Sequence, residues 1–166
     1  MTGNFVIEKA GEKDIPVIHQ LAVDIWKTYY PGIISVEQVN YMLDRMYSVP
    51  SLKNQLQDGH QFYIAYDSQQ PVGYLSYSEN EKGKFFLHKL YIKIGVHRNG
   101  SGSKLLNYLL GLLPPENELR LTVNRKNFKA INFYFKNGFV IEEVKDFDIG
   151  NGFIMKDFVM VWKFPG

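Results

Sequence analysis

No cysteine occurs among the 166 residues, which excludes a disulfide framework, a thiolate metal site and a cysteine nucleophile at once. A cytoplasmic setting is the expectation that follows. Apolar runs are short as well: none approaches the roughly 20 residues needed to cross a bilayer, and the N-terminal stretch lacks the basic and apolar regions of a secretory signal. No membrane role is expected. The four histidines share no metal-ligand spacing, so no metal is expected either. Internal repeats and low-complexity segments are missing. Acids are scarce in one window: residues 82–141 hold eleven of the nineteen Lys and Arg but only two acids, Glu116 and Glu118, a local balance of +9 against −7 for the remainder. A basic centre suits a polyanion and acidic flanks suit a cationic acceptor, although segregated solvated faces produce the same count.

A chain of 19.3 kDa is the size of one ordinary domain, expected to span 1–166. Strand patterns fall at 5–9, 61–66, 72–78, 84–94, 119–123, 139–147 and 153–164. Asp14 stands where a helix N-cap is needed, with Ile15, Ile18, Leu21, Ala22 and Ile25 forming one face up to Lys27. Thr28–Gly32 breaks that helix, Ser35 caps a second, and Pro50 interrupts before a further helical piece ending near Asp58 and Gly59. Leu105, Leu106, Leu109, Leu110 and Leu113 mark another helix, closed by Pro114 and Pro115. The alternation implies an α/β domain with a mixed sheet.

Between an apolar strand and that Leu-rich helix lies His97-Arg98-Asn99-Gly100-Ser101-Gly102-Ser103. Glycines at a helix start let the backbone turn sharply and aim first-turn N–H groups at an anion such as pyrophosphate, though a plain tight turn has the same composition. A second segment, Asn127-Phe128-Lys129-Ala130-Ile131-Asn132-Phe133-Tyr134-Phe135-Lys136-Asn137-Gly138-Phe139, stops a short helix at a glycine and resumes as a strand.

Together these segments resemble the GNAT family, the Gcn5-related N-acetyltransferases. The first is similar to its Gln/Arg-x-x-Gly-x-Gly/Ala loop, the second to its Asn-x-x-Ala-x-x-x-Tyr-x-x-x-Gly-Phe motif. The resemblance implies a mixed, mostly antiparallel sheet of roughly six to seven strands flanked by about four helices. It implies acetyl-CoA as co-substrate and a primary amine as acceptor, attacked directly in a ternary complex. His97, Arg98, Asn99, Gly100, Ser101, Gly102 and Ser103 would hold the pyrophosphate, with Lys104 adding charge. Main-chain groups of Leu90, Tyr91 and Ile92 would pair with the acetyl and pantetheine amides, and Asn127 and Lys136 would meet the cofactor. Tyr134 would protonate the leaving thiolate; a packed aromatic is the plain alternative. His97 and Arg98 depart from the usual Gln/Arg and Gly, which touches cofactor affinity more than the fold.

His88 aligns with a strand position where many relatives carry a glutamate base, and an imidazole of pKa near ~6.5 suits that work. A hydrogen-bonded structural histidine is the competing reading. Trp26, Tyr29 and Tyr30, at the break after the first helix, are candidates to line an acceptor pocket, where aromatic faces suit a cation; core packing explains them equally. Within the family the helical arm, Leu90-Tyr91-Ile92 and Asp157-Phe158-Val159-Met160 resemble the PaiA-like branch, which includes polyamine acetyltransferases. Other readings are a protein N-terminal or lysine acetyltransferase and a catalytically silent CoA-binding module. Nucleic acid is not expected as a partner, since no regular aromatic platform accompanies the basic window. A homodimer is an expectation drawn from the eleven Tyr and twelve Phe.

Overall fold

A computed structural model describes residues 4–95 and 100–164. The chain runs β1 (Phe5–Ala10), a 3-10 turn (Glu12–Asp14), α1 (Ile15–Tyr29), α2 (Val36–Tyr47), α3 (Val49–Gln57), β2 (Gln61–Asp67), β3 (Gln70–Glu81), β4 (Lys84–Ile92), α4 (Ser101–Leu112), β5 (Glu118–Asn124), α5 (Phe128–Lys136), β6 (Val140–Gly150) and β7 (Phe153–Lys163). Seven strands form one sheet in the order β1-β2-β3-β4-β5-β7-β6. Pairing is antiparallel for β1/β2, β2/β3, β5/β7 and β6/β7, and parallel for β4/β5. The expected mixed, mostly antiparallel α/β architecture is what the protein has. No described helix is long and apolar enough to cross a membrane.

The chain divides into two compact units, Met1–Ser78 with Lys89–Leu112, and Glu79–His88 with Leu113–Gly166. In the first, α1 buries Ile15, Ile18, Leu21, Ala22 and Ile25, the face expected from their spacing, and Trp26 beside them. Each of the buried isoleucine and leucine side chains contributes roughly 1.5–3 kcal/mol on leaving water. Asp14 does not cap α1. Its carboxylate turns back to accept the Gly11 N–H at 2.9 Å, closing the 3-10 turn instead. Ser35 does cap α2, accepting from the Gln38 N–H at 3.1 Å. Five α-helices are described, and the arm interrupted at Pro50 is two capped helices, as its break implies: Ser48 accepts from the Ser51 N–H at 3.3 Å and the proline sits in the first turn of α3. The β2–β3 hairpin turns at Ser68 and Gln69, with φ of 50° and 71°, and α4 buries Leu105, Leu106 and Leu109.

In the second unit β5 is the hub, pairing with β7 along its whole length from Glu118↔Lys163 to Asn124↔Asp157. Arg120 forks onto Glu142, with Nε and Nη2 each donating at 2.8 Å, and also bonds Glu118. Arg125 Nη2 donates to Asp146 at 2.8 Å, and Lys84 pairs with Glu81 at 3.2 Å. Three cations of the basic window are therefore tied to carboxylates, each reaching an acid outside it, so the imbalance along the chain is partly undone in space.

Candidate active site

In the first unit β4 ends at Ile92 and α4 begins at Ser101. Gly100 is the residue before that helix; its carbonyl accepts the Lys104 N–H at 2.9 Å and its φ is +65°, a conformation glycine adopts without strain. The N–H groups of a helix's first turn have no acceptor within the helix, so this start has donors to offer an anion. Ser101 is buried, Gly102 and Ser103 are half-buried, and the Lys104 ammonium lies 5.2 Å from the Phe5 ring. His97, Arg98 and Asn99 lie outside the described residues.

Upstream, the parallel ladder of β4 with β5 consists of Lys84, Phe85 and Phe86 opposite Glu118, Leu119 and Arg120; Leu90, Tyr91 and Ile92 come after it. On the β3 side, the Lys93 N–H donates to Val72 O at 2.7 Å, and a Cβ on Gly73 would stand 2.6 Å from Tyr91 O. Only glycine permits that backbone approach.

The three aromatic candidates come together. Trp26 stacks on Tyr30 with centroids 4.2 Å apart, and Tyr29 meets Tyr30 edge-on at 5.3 Å. The cluster is larger than the sequence indicates. Tyr91, expected to act through its main chain, bonds its hydroxyl to that of Tyr30 at 3.1 Å, and its ring lies 5.6 Å from Tyr74 and 5.7 Å from Trp26. Tyr47 joins at 5.4 Å from Trp26. Trp26, Tyr47 and Tyr74 are buried, and burial pushes the Tyr47 and Tyr74 phenols well up. Against this cluster lies Lys89, buried, with its ammonium 4.9 Å from the Tyr47 ring and 5.9 Å from that of Phe62. No ion pair among the described residues involves it. Burial lowers its pKa to about 8, and burial together with the nearby Lys89 charge lowers that of His60.

In the second unit Asn127 caps α5, its Oδ1 accepting the Ala130 N–H at 3.2 Å, while its own N–H donates to Asn124 O at 2.9 Å. Tyr134 is buried on α5 with its ring edge-on to Phe133 and Phe139, at 5.2 and 5.3 Å. Lys129 and Lys136 are exposed on the same helix. His88 is half-buried, its ring 4.9 Å from Phe86. Asp157 is a group the sequence reading passed over as a site residue. It is buried on β7, and one carboxylate oxygen, Oδ1, has no hydrogen-bond partner among the described residues. No cluster of three or more metal-ligating side chains occurs among the described residues.

A strand, a helix entered from a positive-φ glycine and a following strand parallel to the first are the elements of an α/β protein with unpaired N–H groups at a helix start. Residues 18–139 match the Acetyltransferase (GNAT) family, and the chain belongs to it, an acyl-CoA-dependent N-acetyltransferase. Spermidine N(1)-acetyltransferase of Thermoplasma acidophilum is 27% identical over 157 residues, covering 90% of this chain and 94% of its own. The crystal structure of PaiA N-acetyltransferase from Thermoplasma acidophilum in complex with coenzyme A superposes with a TM-score of 0.79, at 27% identity over 97% of this chain and 99% of that one. A GCN5-related N-acetyltransferase from Rhodopseudomonas palustris, 17% identical, shares the fold at the same TM-score of 0.79, over 99% and 98% of the two chains.

Proposed function

We propose that the protein is a cytoplasmic enzyme that acetylates a primary amine of a small polyamine by direct attack on acetyl-CoA in a ternary complex. The observation that carries the acceptor class is the likeness to a spermidine N(1)-acetyltransferase along 90% of the chain. The first turn of α4, entered through Gly100, holds the pyrophosphate by main-chain N–H groups. Main-chain groups of Leu90, Tyr91 and Ile92 hold the pantetheine and acetyl amides, which fits their position beyond the β4/β5 ladder. Asn127 commits its Oδ1 to the α5 cap, so its amide N–H groups are what it offers a cofactor carbonyl. Lys136 adds charge for a phosphate.

Attack by the amine expels a thiolate, which Tyr134 protonates. Before attack the acceptor's ammonium must lose a proton, to His88 or through a water relay. Trp26, Tyr29 and Tyr30 contribute aromatic faces to a cationic acceptor. The test is CoA thiol release from acetyl-CoA against spermidine, spermine, simple amines, aminoglycosides and N-terminal peptides. Selective release with spermidine or spermine is expected. Preference for peptides would overturn the polyamine reading, and silence with calorimetrically normal acetyl-CoA binding would favour a binding module.

A further inference from the structure

Among the described residues two side chains that carry charge in water are buried, Lys89 in the first unit and Asp157 in the second. Lys89 has aromatic faces against its ammonium. Asp157 has far less. Its Oδ1 is shielded from water and unpartnered, and the guanidinium beside it is engaged elsewhere: Arg125 Nη1 donates to the main-chain oxygen of Asp157 at 3.0 Å and Nη2 to Asp146 Oδ1 at 2.8 Å. The Thr122 hydroxyl hydrogen-bonds the carboxylate, which leaves Oδ1 as its one open oxygen. A buried carboxylate oxygen without a donor is costly, and the residue of the same shape without the charge, asparagine, would reduce the cost. Such groups concentrate at sites where the charge is used.

Its position is informative as well. Asp157 pairs in register with Asn124, the last residue of β5. Asn124 Oδ1 accepts the Lys126 N–H at 2.9 Å and its main-chain oxygen accepts the Asn127 N–H at 2.9 Å, so Asp157 is the strand partner of the residue that shapes the turn into α5, the helix of Tyr134. A carboxylate with an open oxygen is complementary to an ammonium.

We propose that Asp157 is the base of the reaction, its Oδ1 receiving a proton from the ammonium of the acceptor amine. The proposal rests on the amine acetyltransferase reading above. The N–H bond of the ammonium breaks and an O–H bond forms on Asp157. The freed nitrogen lone pair attacks the acetyl carbonyl carbon, the new C–N bond forms and the C–S bond breaks. The sulfur takes a proton from Tyr134, which recovers one from the attacking nitrogen as the amide forms, and Asp157 returns its proton to water. Burial raises the Asp157 carboxyl to about 6, Asp146 adds to the rise, and the Arg125 guanidinium and Thr122 hydroxyl oppose it. The group is therefore largely ionised and ready to accept at neutral pH.

Asp157→Asn, Asp157→Glu and His88→Gln test the assignment in the full-length protein, with spermidine as the amine. For Asp157→Asn, kcat/KM for the amine is expected to fall about 100-fold or more, with an acetyl-CoA Kd within twofold of the unaltered protein and a melting temperature no lower. The acidic limb of the pH-rate profile, near pH 6, should vanish in Asp157→Asn, persist in His88→Gln, and reappear with part of the rate in Asp157→Glu. Turnover within threefold of normal in Asp157→Asn overturns the proposal. So does a rate loss that tracks a lowered melting temperature, which marks a structural carboxyl, or a limb lost only in His88→Gln. No thiol release by the unaltered protein with any amine would instead sink the parent reading, and the assignment with it.

Discussion

Tyr134 illustrates how one hydroxyl can be separated from the aromatic ring that carries it. The ring is packed against Phe133 and Phe139, so Tyr134→Phe keeps these ring contacts and removes the hydroxyl proposed as the acid. Turnover should fall by about 10²-fold or more while acetyl-CoA affinity holds, because the hydroxyl acts on the leaving group and not on the bound ground state. Steady-state kinetics beside calorimetric titration check this, and equal rates would return Tyr134 to packing alone. Lys89 allows a similar separation. Its pKa is lowered from 10.5 to about 8 by burial, so at pH 7 the folded protein holds a charge that the unfolded chain solvates better. Lys89→Met retains the stem's volume and removes the charge. It should raise stability at pH 7 by about 1–3 kcal/mol in denaturant titrations, less whatever the ring contacts return.

Among the elements, helix starts and turns were the legible part. Ser35, Asn127 and the glycine before α4 carry local signals that need no tertiary context, and Gly150-Asn151-Gly152 turns β6 into β7 as its composition implies. Asp14 differs because a nearby partner changed its use, Gly11 capturing its carboxylate, whereas Pro50 marks the break between α2 and α3 as its chemistry implies, in the first turn behind the Ser48 cap. β4 stops at Ile92 and β3 extends to Glu81, boundaries set by pairing and not by propensity. Lys89 and Asp157 were illegible for a plainer reason: a charged residue in a strand pattern reads as solvent-facing, and only the sheet's coverage reverses that. The α4 start yields a prediction at this scale. A Cβ on Gly100 meets nothing within 4 Å in the folded chain, so the penalty for Gly100→Val comes from its φ of +65°. A β-branched residue resists that conformation by about 1–3 kcal/mol. Relaxing it would rotate the amides of the helix start, so acetyl-CoA binding should weaken at least tenfold, with Gly100→Ala milder; calorimetry on both variants decides, and unchanged affinity would place the phosphate cradle elsewhere.

For the whole molecule, the two buried charges set a pH dependence of stability that runs opposite to a surface-paired protein. Asp157 has a folded pKa of about 6 against 3.8, so the folded state holds its proton more tightly than the unfolded chain does. Stability is therefore lost as pH rises from about 4 to 6 and stays lost above it. Lys89, at about 8 against 10.5, binds its proton less tightly when folded, so stability is regained as pH rises from about 8 to 10.5. Each group contributes up to about 3 kcal/mol, at 1.36 kcal/mol per pKa unit. Exposed pairs such as Lys53 with Glu12 contribute little against this. These two groups together contribute a minimum between pH 6 and 8, on which the lowered carboxyls of Glu118 and Glu142 and the lowered His60 imidazole superimpose a rise in stability with pH on the acid side. Denaturant midpoints measured from pH 4 to 10.5 should trace that contribution, with Asp157→Asn removing its acidic shoulder and Lys89→Met its alkaline one. Profiles of the variants that run parallel to that of the unaltered protein would mean that both charges are relieved by partners in solution, and the argument for Asp157 as an open acceptor would fall with it.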